Sequence, residues 1–426
     1  MMNLLTQNRN FRLLFSARLI TNIGDSVYFI AAMWLVYQLS GSSFFSGLAG
    51  FLTMIPRTLQ FLIGPILDRY SIKKLLVGTQ LAQACLLAII PAAALIGNLS
   101  VTLILIIMPV VSFLNQFSFP AESALIPQIM KKEQWIQANG LMTLAYQGTD
   151  AAFQAIGGAL VALLGAVSMY HADILSFGFA VVLFTMLKLP EHPQSSTKQT
   201  VADQCKQYLL DLREGFRTVI HSIIGKMMVG SLMTNFALGA LVAVLPAYSD
   251  HLGGPGMYGL MMAGMAVGTL IGALVARCFK NKPVGKMLVF GYSIGFLLWL
   301  AAALVPNPML SFILFSVSLV FPGCNNVLNF TLIQNVVPQH LLARAMSLVA
   351  SLATCIMPLG SLVGGSLSDL FGSPIIFAAS SIGFFLYAAY VALMPSLRRL
   401  PAAATVKPED FGFTARTEAI HEQSHA

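Results

Sequence analysis

The sequence predicts an all-α membrane protein with twelve transmembrane helices in two pseudo-symmetric six-helix bundles. Three observations carry that prediction. Hydrophobic residues make up 57% of the chain and charged residues 9%. A soluble domain averages roughly 25% charge, so this chain could not solvate a globular surface. Twelve apolar stretches recur, each close to the ~20 residues a helix needs to cross ~30 Å of hydrocarbon. Lysine and arginine avoid alternate gaps. Those near Gly41, Asn98, Ser168, Gly253, Asn307 and Ser368 hold none, while the termini and the other gaps hold all of the 24 basic residues except Arg18 and Arg57. Cytoplasmic loops retain positive charge, so both termini are expected in the cytoplasm and the multi-pass chain in the cell (plasma or inner) membrane. The net charge of +8 is then an orientation bias, aided by anionic lipid heads, and not a nucleic-acid signal.

The expected spans are Leu19–Leu39, Phe44–Leu67, Leu75–Ile96, Val101–Phe119, Leu141–Val167, Tyr170–Leu187, Met227–Tyr248, Met257–Ala276, Met287–Val305, Leu310–Phe330, Met346–Leu367 and Ile375–Met394. The first six fill an N-terminal bundle, residues 1–190. A polar stretch, 191–226, opens with Pro193 and a Ser/Thr/Gln cluster and closes with Tyr208–Arg217, which has the pattern of an amphipathic surface helix. The last six fill a C-terminal bundle, residues 227–395. A polar tail, 396–426, has the composition of a disordered cytoplasmic segment. Five cysteines show neither CxxC nor Cys/His spacing, so neither a disulfide nor a metal is expected, and no cofactor. Faint internal similarity ties the halves: Tyr37–Leu48 parallels Tyr248–Leu260, and Gly64–Arg69 parallels Gly272–Arg277. Two like halves of six spans suit rocking about a central site.

Ionisable groups inside a span are expensive and usually face a cavity or one another. Asp25 lies in span one, Arg57 in span two and Asp150 in span five. Each belongs to a polar stripe at helical spacing. Span one shows Arg18, Asn22, Asp25 and Tyr28, and span two Thr53, Arg57 and Gln60. Span five shows Asn139, Thr143, Gln147, Asp150 and Gln154, and span four adds Asn115 and Glu122. Two roles stand open: Asp25 or Asp150 as a protonation site beside substrate, or Asp25–Arg57 as a fixed ion pair that locks helices together. Arg18, near the cytoplasmic edge, is expected to snorkel to the headgroups. The second half offers amides instead, with Asn325 and Asn329 on one face as weaker substrate contacts or interhelical hydrogen bonds. His171, Asp173, Asp250, His251 and Asp369 read as solvated edge residues. Gly264, Gly268 and Gly272, and Gly360 with Gly364, form small-residue faces for close helix packing.

The loop Gly64-Pro-Ile-Leu-Asp68-Arg69-Tyr-Ser-Ile-Lys73-Lys74 between spans two and three resembles the signature loop of the major facilitator superfamily. Asn22-Ile-Gly24-Asp25, Pro120 through Pro127, Ala138-Asn139-Gly-Leu141 and Asp211–Phe216 resemble its drug-exporter branch, which includes macrolide-efflux proteins and the enterobactin exporter. Ser71 stands where the loop usually has Gly, and Phe153-Gln154 where the antiporter pattern has Gly-Pro. The resemblance implies a cytoplasmic gate. Asp68 would face the start of span eleven near Arg344, and Arg69, Lys73 and Lys74 would pair with Glu122. Plain topology is the alternative for the lysines. The implied activity is export of an amphipathic or hydrophobic small molecule (a drug, a macrolide-like antibiotic or a siderophore) by proton-coupled alternating access. The expected partners are that substrate, protons and membrane lipids, and the expected state is a monomer. A lysophospholipid flippase or a non-transporting membrane sensor on the same fold are the alternatives. No phosphate-cradling GxxxxGK[ST] loop, HExxH or GxSxG appears, so neither ATP-driven transport nor an enzyme is expected.

Overall fold

The structure, a computed structural model, describes residues 2–58, 71–189, 223–279, 281–336, 349 and 354–402. Helical segments occupy all twelve expected spans. Among the described residues, nine helices are long and apolar enough to cross a membrane. Span one runs Arg9–Ser40 and span two begins at Ser43–Thr58. Span three is Ile72–Leu95, and span four Val101–Asn115 continued by Ser118–Ile129. Span five is Trp135–Leu164, with a π-helical turn at Leu144–Gly148, and span six is Ala166–Thr185. Spans seven to nine are Ile223–Leu252, Pro255–Phe279 and Val284–Leu304. Span ten is Pro308–Ser318 continued by Val320–Val336. Span eleven is described over Met357–Phe371, and span twelve is Ser373–Ser380 continued by Ile382–Leu393.

The helices outrun their apolar stretches. Span one begins ten residues before Leu19, and span four ends ten residues after Phe119. Hydropathy marks the part of a helix that meets lipid, whereas backbone hydrogen bonding continues wherever neighbouring helices cover the chain. Span one is such a covered helix, with buried residues all around its circumference from Phe11 to Val36.

The turns on the side free of Lys and Arg share a construction. Every described residue with positive φ is a glycine on that side: Gly41, Gly97, Gly165, Gly253, Gly254 and Gly372. Gly165 alone joins span five to span six, and Gly372 alone joins span eleven to span twelve, at φ 80° and 91°. A side chain is strained in that region of backbone space. Ser100 caps span four and Asn307 caps span ten, each accepting hydrogen bonds from the first turn. Spans four and ten are both interrupted partway, at Gln116–Phe117 and at Leu319. These matched devices express the internal repeat in backbone geometry.

The chain forms two compact units, one of Met1–Cys205 with Ala243–Ala266, the other of Lys206–Val242 with Val267–Ala426. In the first unit, span six packs antiparallel along span one. Asn10 exchanges hydrogen bonds with the Lys188 backbone, Gly24 seats Asp173 and Ser176, and the rings of Tyr28 and Tyr170 meet edge-on at 5.5 Å. Ala243–Ala266 adds a seam to this unit. Trp34 stacks on Tyr258 with ring centroids 5.5 Å apart, and a Cβ on Gly158 would overlap the Gly259 backbone, as would the reverse. In the second unit, Gly268 and Gly272 of span eight lie on the Ser316 and Val320 carbonyls of span ten, while Gly360 and Gly364 of span eleven lie on Phe236 and Ala240 of span seven. The small-residue faces are thus helix contacts.

Candidate functional site

The ionisable groups of the first six spans converge on Arg18. Its guanidinium is buried, with 4% of the residue exposed, which corrects the expectation that it snorkels to the surface. The longer helix places it two turns inside the bundle, where other helices cover it. Nη2 donates to Asn22 Oδ1 at 2.8 Å and lies 3.7 Å from Asp25 Oδ2. The guanidinium carbon sits 4.1 Å from the centre of the Tyr146 ring, a cation–π contact. Tyr146 Oη donates to Glu122 Oε2 at 2.6 Å. Asn115 Nδ2 donates to Asp25 Oδ2 at 3.0 Å. Asn22 Nδ2 reaches the Tyr146 carbonyl and Thr149 Oγ1, both at 2.7 Å. Ser26 Oγ lies 2.9 Å from Asp150 Oδ1. Spans one, four and five therefore meet in one network with a single guanidinium and three carboxyl groups. Nε and Nη1 of Arg18 are buried without a partner among the described residues.

The π-helical turn organises span five. It inserts a residue into the helical period, so the polar stripe read from the sequence does not run as one face. Asn139 and Thr143 before the turn are exposed, whereas Tyr146, Thr149 and Asp150 face span one. The backbones of Gln147 and Gln154 are helical, but their side chains lie outside the described residues. Arg57 is exposed at the end of the described part of span two, and the ion pair of Asp25 is made with Arg18. That replaces the Asp25–Arg57 pair that was one of the two roles left open by the sequence.

Of the gate residues, Gly64, Asp68, Arg69 and Arg344 lie outside the described residues. Lys73 Nζ donates to the Leu187 carbonyl at 2.7 Å. Glu122 is buried on Tyr146 because span four continues as a helix past Phe119. These partners differ from the Lys73–Glu122 contact that the loop implied.

Asp173 is a second correction. It is 0% exposed, not a solvated edge residue. Gly24 lets span six approach so closely that a Cβ there would overlap the Asp173 carboxylate and Ser176 Oγ. Sequence reasoning missed this contact because a residue eight positions inside span six was measured from the helix end and not from its neighbour.

In the second unit, Asn325 Nδ2 donates to Tyr292 Oη at 3.0 Å, and the Tyr292 and Tyr387 ring centroids are 4.6 Å apart. Asn325 Oδ1, Asn329 Oδ1 and Tyr387 Oη are buried without partners among the described residues. An apolar cavity of about 480 Å³ lies between spans seven, eleven and twelve, lined by Leu232, Met233, Phe236, Val363, Ile382 and Leu386 among others.

Residues 5–421 match the family described as transmembrane secretion effector. The chain is 23% identical over 404 residues to the multidrug efflux pump Tap of Mycolicibacterium fortuitum, covering 92% of this chain and 97% of that protein. It is 25% identical over 393 residues to the uncharacterized MFS-type transporter YfmI of Bacillus subtilis, covering 87% and 92%. Among solved structures, a bacterial homolog of the human lysosomal transporter Spinster, in an inward-facing and occupied conformation, aligns with a TM-score of 0.69 at 14% identity, covering 94% of this chain and 97% of that one. The nucleoside transporter NupG aligns with a TM-score of 0.66 at 13% identity, covering 91% and 99%. A twelve-span helical fold, a repeat in its turns and a charged network inside the first bundle thus coincide with a match along nearly the whole chain, and this protein belongs to the transmembrane secretion effector family of major facilitator transporters.

Proposed function

We propose that this protein exports an amphipathic or hydrophobic small molecule by alternating access, driven by the proton gradient. The observation that carries the reading is one buried network in which Asp25 reaches the Arg18 guanidinium directly, Glu122 joins through Tyr146 and Asp150 through Ser26. Three carboxyl groups and one guanidinium leave more acids than bases inside a membrane, where an uncompensated charge costs several kcal/mol. Proton binding at Asp25 or Asp150 relieves that excess, and a substrate arriving beside them competes for the same balance. Efflux by Tap supports the direction and the substrate class. The absence of Lys and Arg from alternate loops supports cytoplasmic termini, so the glycine turns face outward. The apolar cavity of the second unit suits the hydrophobic part of a substrate. The seam of Trp34 with Tyr258 and Gly158 with Gly259 is the outward closure that must part in each cycle. The Asp68–Arg69 loop, with Arg344, serves the inner closure. Purified protein in liposomes with an imposed pH gradient tests the reading. Wild type should accumulate at least one dye from a panel of lipophilic cations, and Asp25→Asn should exchange that dye without accumulating it. Gradient-independent flux would favour a flippase, no flux of any dye would favour a non-transporting sensor, and normal accumulation by Asp25→Asn would move coupling to another carboxyl group.

A further inference from the structure

The network around Arg18 leaves one buried acid unused. Asp173 lies in span six, behind span one, and is fully buried. Its Oδ1 accepts one hydrogen bond, from Ser176 Oγ at 3.0 Å, and that hydroxyl is shared with the Asp173 carbonyl at 2.8 Å. Its Oδ2 is buried with no partner among the described residues. The hydroxyls of Tyr28 and Tyr170, whose rings pack edge-on one turn away, are also buried and unpartnered. Three buried polar atoms, one of them on a carboxyl group, thus lie close together here without a cation beside them among the described residues.

The groups on the surrounding helices are few. Span one brings Asp25, next to Gly24 in the chain, and Tyr28. Span three brings Lys73, held at the far end of span six by the Leu187 carbonyl, exposed Lys74 and exposed Cys85. Span five brings Asp150, bonded to Ser26. Span six itself adds Tyr170 and the exposed His171. Among the described residues, no Lys, Arg or His makes an ion pair or hydrogen bond with the Asp173 carboxyl group.

We propose that Asp173 is a second proton-carrying carboxyl group of the transport cycle, packed against span one at Gly24. In the packed arrangement Asp173 holds its proton, because an anion there would have half of one hydroxyl as its solvation. When the seam between spans one and six loosens, the O–H bond of the carboxyl group breaks and the proton passes to water. The carboxylate regains a proton from the opposite side before the seam repacks. The inference rests on the proton-driven reading above and adds a residue to it. A packing-only role would be served equally well by asparagine, which has the shape of a protonated aspartate.

The test compares wild type, Asp173→Asn and Asp173→Glu in liposomes, using a lipophilic cationic dye that wild type accumulates. Asp173→Asn should keep dye exchange without a gradient. At a gradient of one pH unit its accumulation ratio should fall about tenfold, the factor for one coupled proton fewer. Asp173→Glu should restore it. In infrared spectra the buried protonated-carboxyl band should vanish in Asp173→Asn and shift in Asp173→Glu. Wild-type accumulation in Asp173→Asn, or a carboxyl band unchanged in both variants, overturns the proposal while leaving proton-driven export intact. Absence of gradient-driven accumulation in wild type would instead sink the underlying reading and this one with it. If Asp173→Asn does not fold, the band shift in Asp173→Glu decides alone.

Discussion

Replacing Arg18 with methionine is the sharpest test of the network. Methionine fills much of the aliphatic volume and removes the cation. At 3.7 Å from Asp25 Oδ2, and with an effective dielectric constant of about 20, the lost attraction is about 4 kcal/mol. Removing one partner of a buried pair costs roughly 3–5 kcal/mol, because the other charge is stranded. Tyr146 loses its cation–π contact as well, worth about 1–2 kcal/mol when desolvated. Arg18→Met should therefore destabilise the protein by about 4 kcal/mol, and Asp25→Asn in the same chain should return part of that. Unfolding in mixed micelles of wild type, both single variants and the double variant gives the coupling directly, with about 1–3 kcal/mol expected between Arg18 and Asp25. Additive effects, or an Arg18→Met variant within about 0.5 kcal/mol of wild type, would show that Arg18 is solvated and that the carboxyl groups are not organised around it.

Two further substitutions test the helix seams. Gly158→Val should wedge the seam between spans five and eight, since even a Cβ there overlaps the Gly259 backbone. A cysteine introduced as Tyr258→Cys, in a chain otherwise free of cysteine, should then react several-fold faster with a membrane-impermeant maleimide, and unchanged labelling would refute the seam. Gly364→Val should force span eleven off Ala240 of span seven, lowering unfolding free energy by about 1–3 kcal/mol. Stability unchanged in micelles would show that this contact gives way freely.

How much of this was legible beforehand depends on the distance over which each signal acts. The spans, their number and the turns between them come from local composition. A run of apolar residues must be helical in lipid to satisfy its own backbone, and a one-residue turn such as Gly165 demands a residue free of side chain. Asp25, Asp150, Asn22 and Asn115 were legible as site candidates because polar groups inside an apolar run stand out one at a time. Their partners were not. Arg18 looked peripheral because hydropathy placed the start of span one ten residues late, and Glu122 looked like a gate residue at the end of span four because that helix outlasts its apolar part. The π turn at Leu144–Gly148 has no composition of its own, so nothing in the chain announced that it would turn Asp150 towards Ser26 and leave Thr143 exposed.

The sequence alone determined the class of solvent, the number of crossings, the repeat and the identity of the charged residues, because each is fixed by what a segment must do for its own backbone and side chains in oil or water. Tertiary structure alone decided which charge answers which. A buried ion pair depends on a few ångströms between helices far apart in the chain, and those distances are set by small contacts such as Gly24 on Asp173, where the absence of one carbon atom brings an acid to the side of span one.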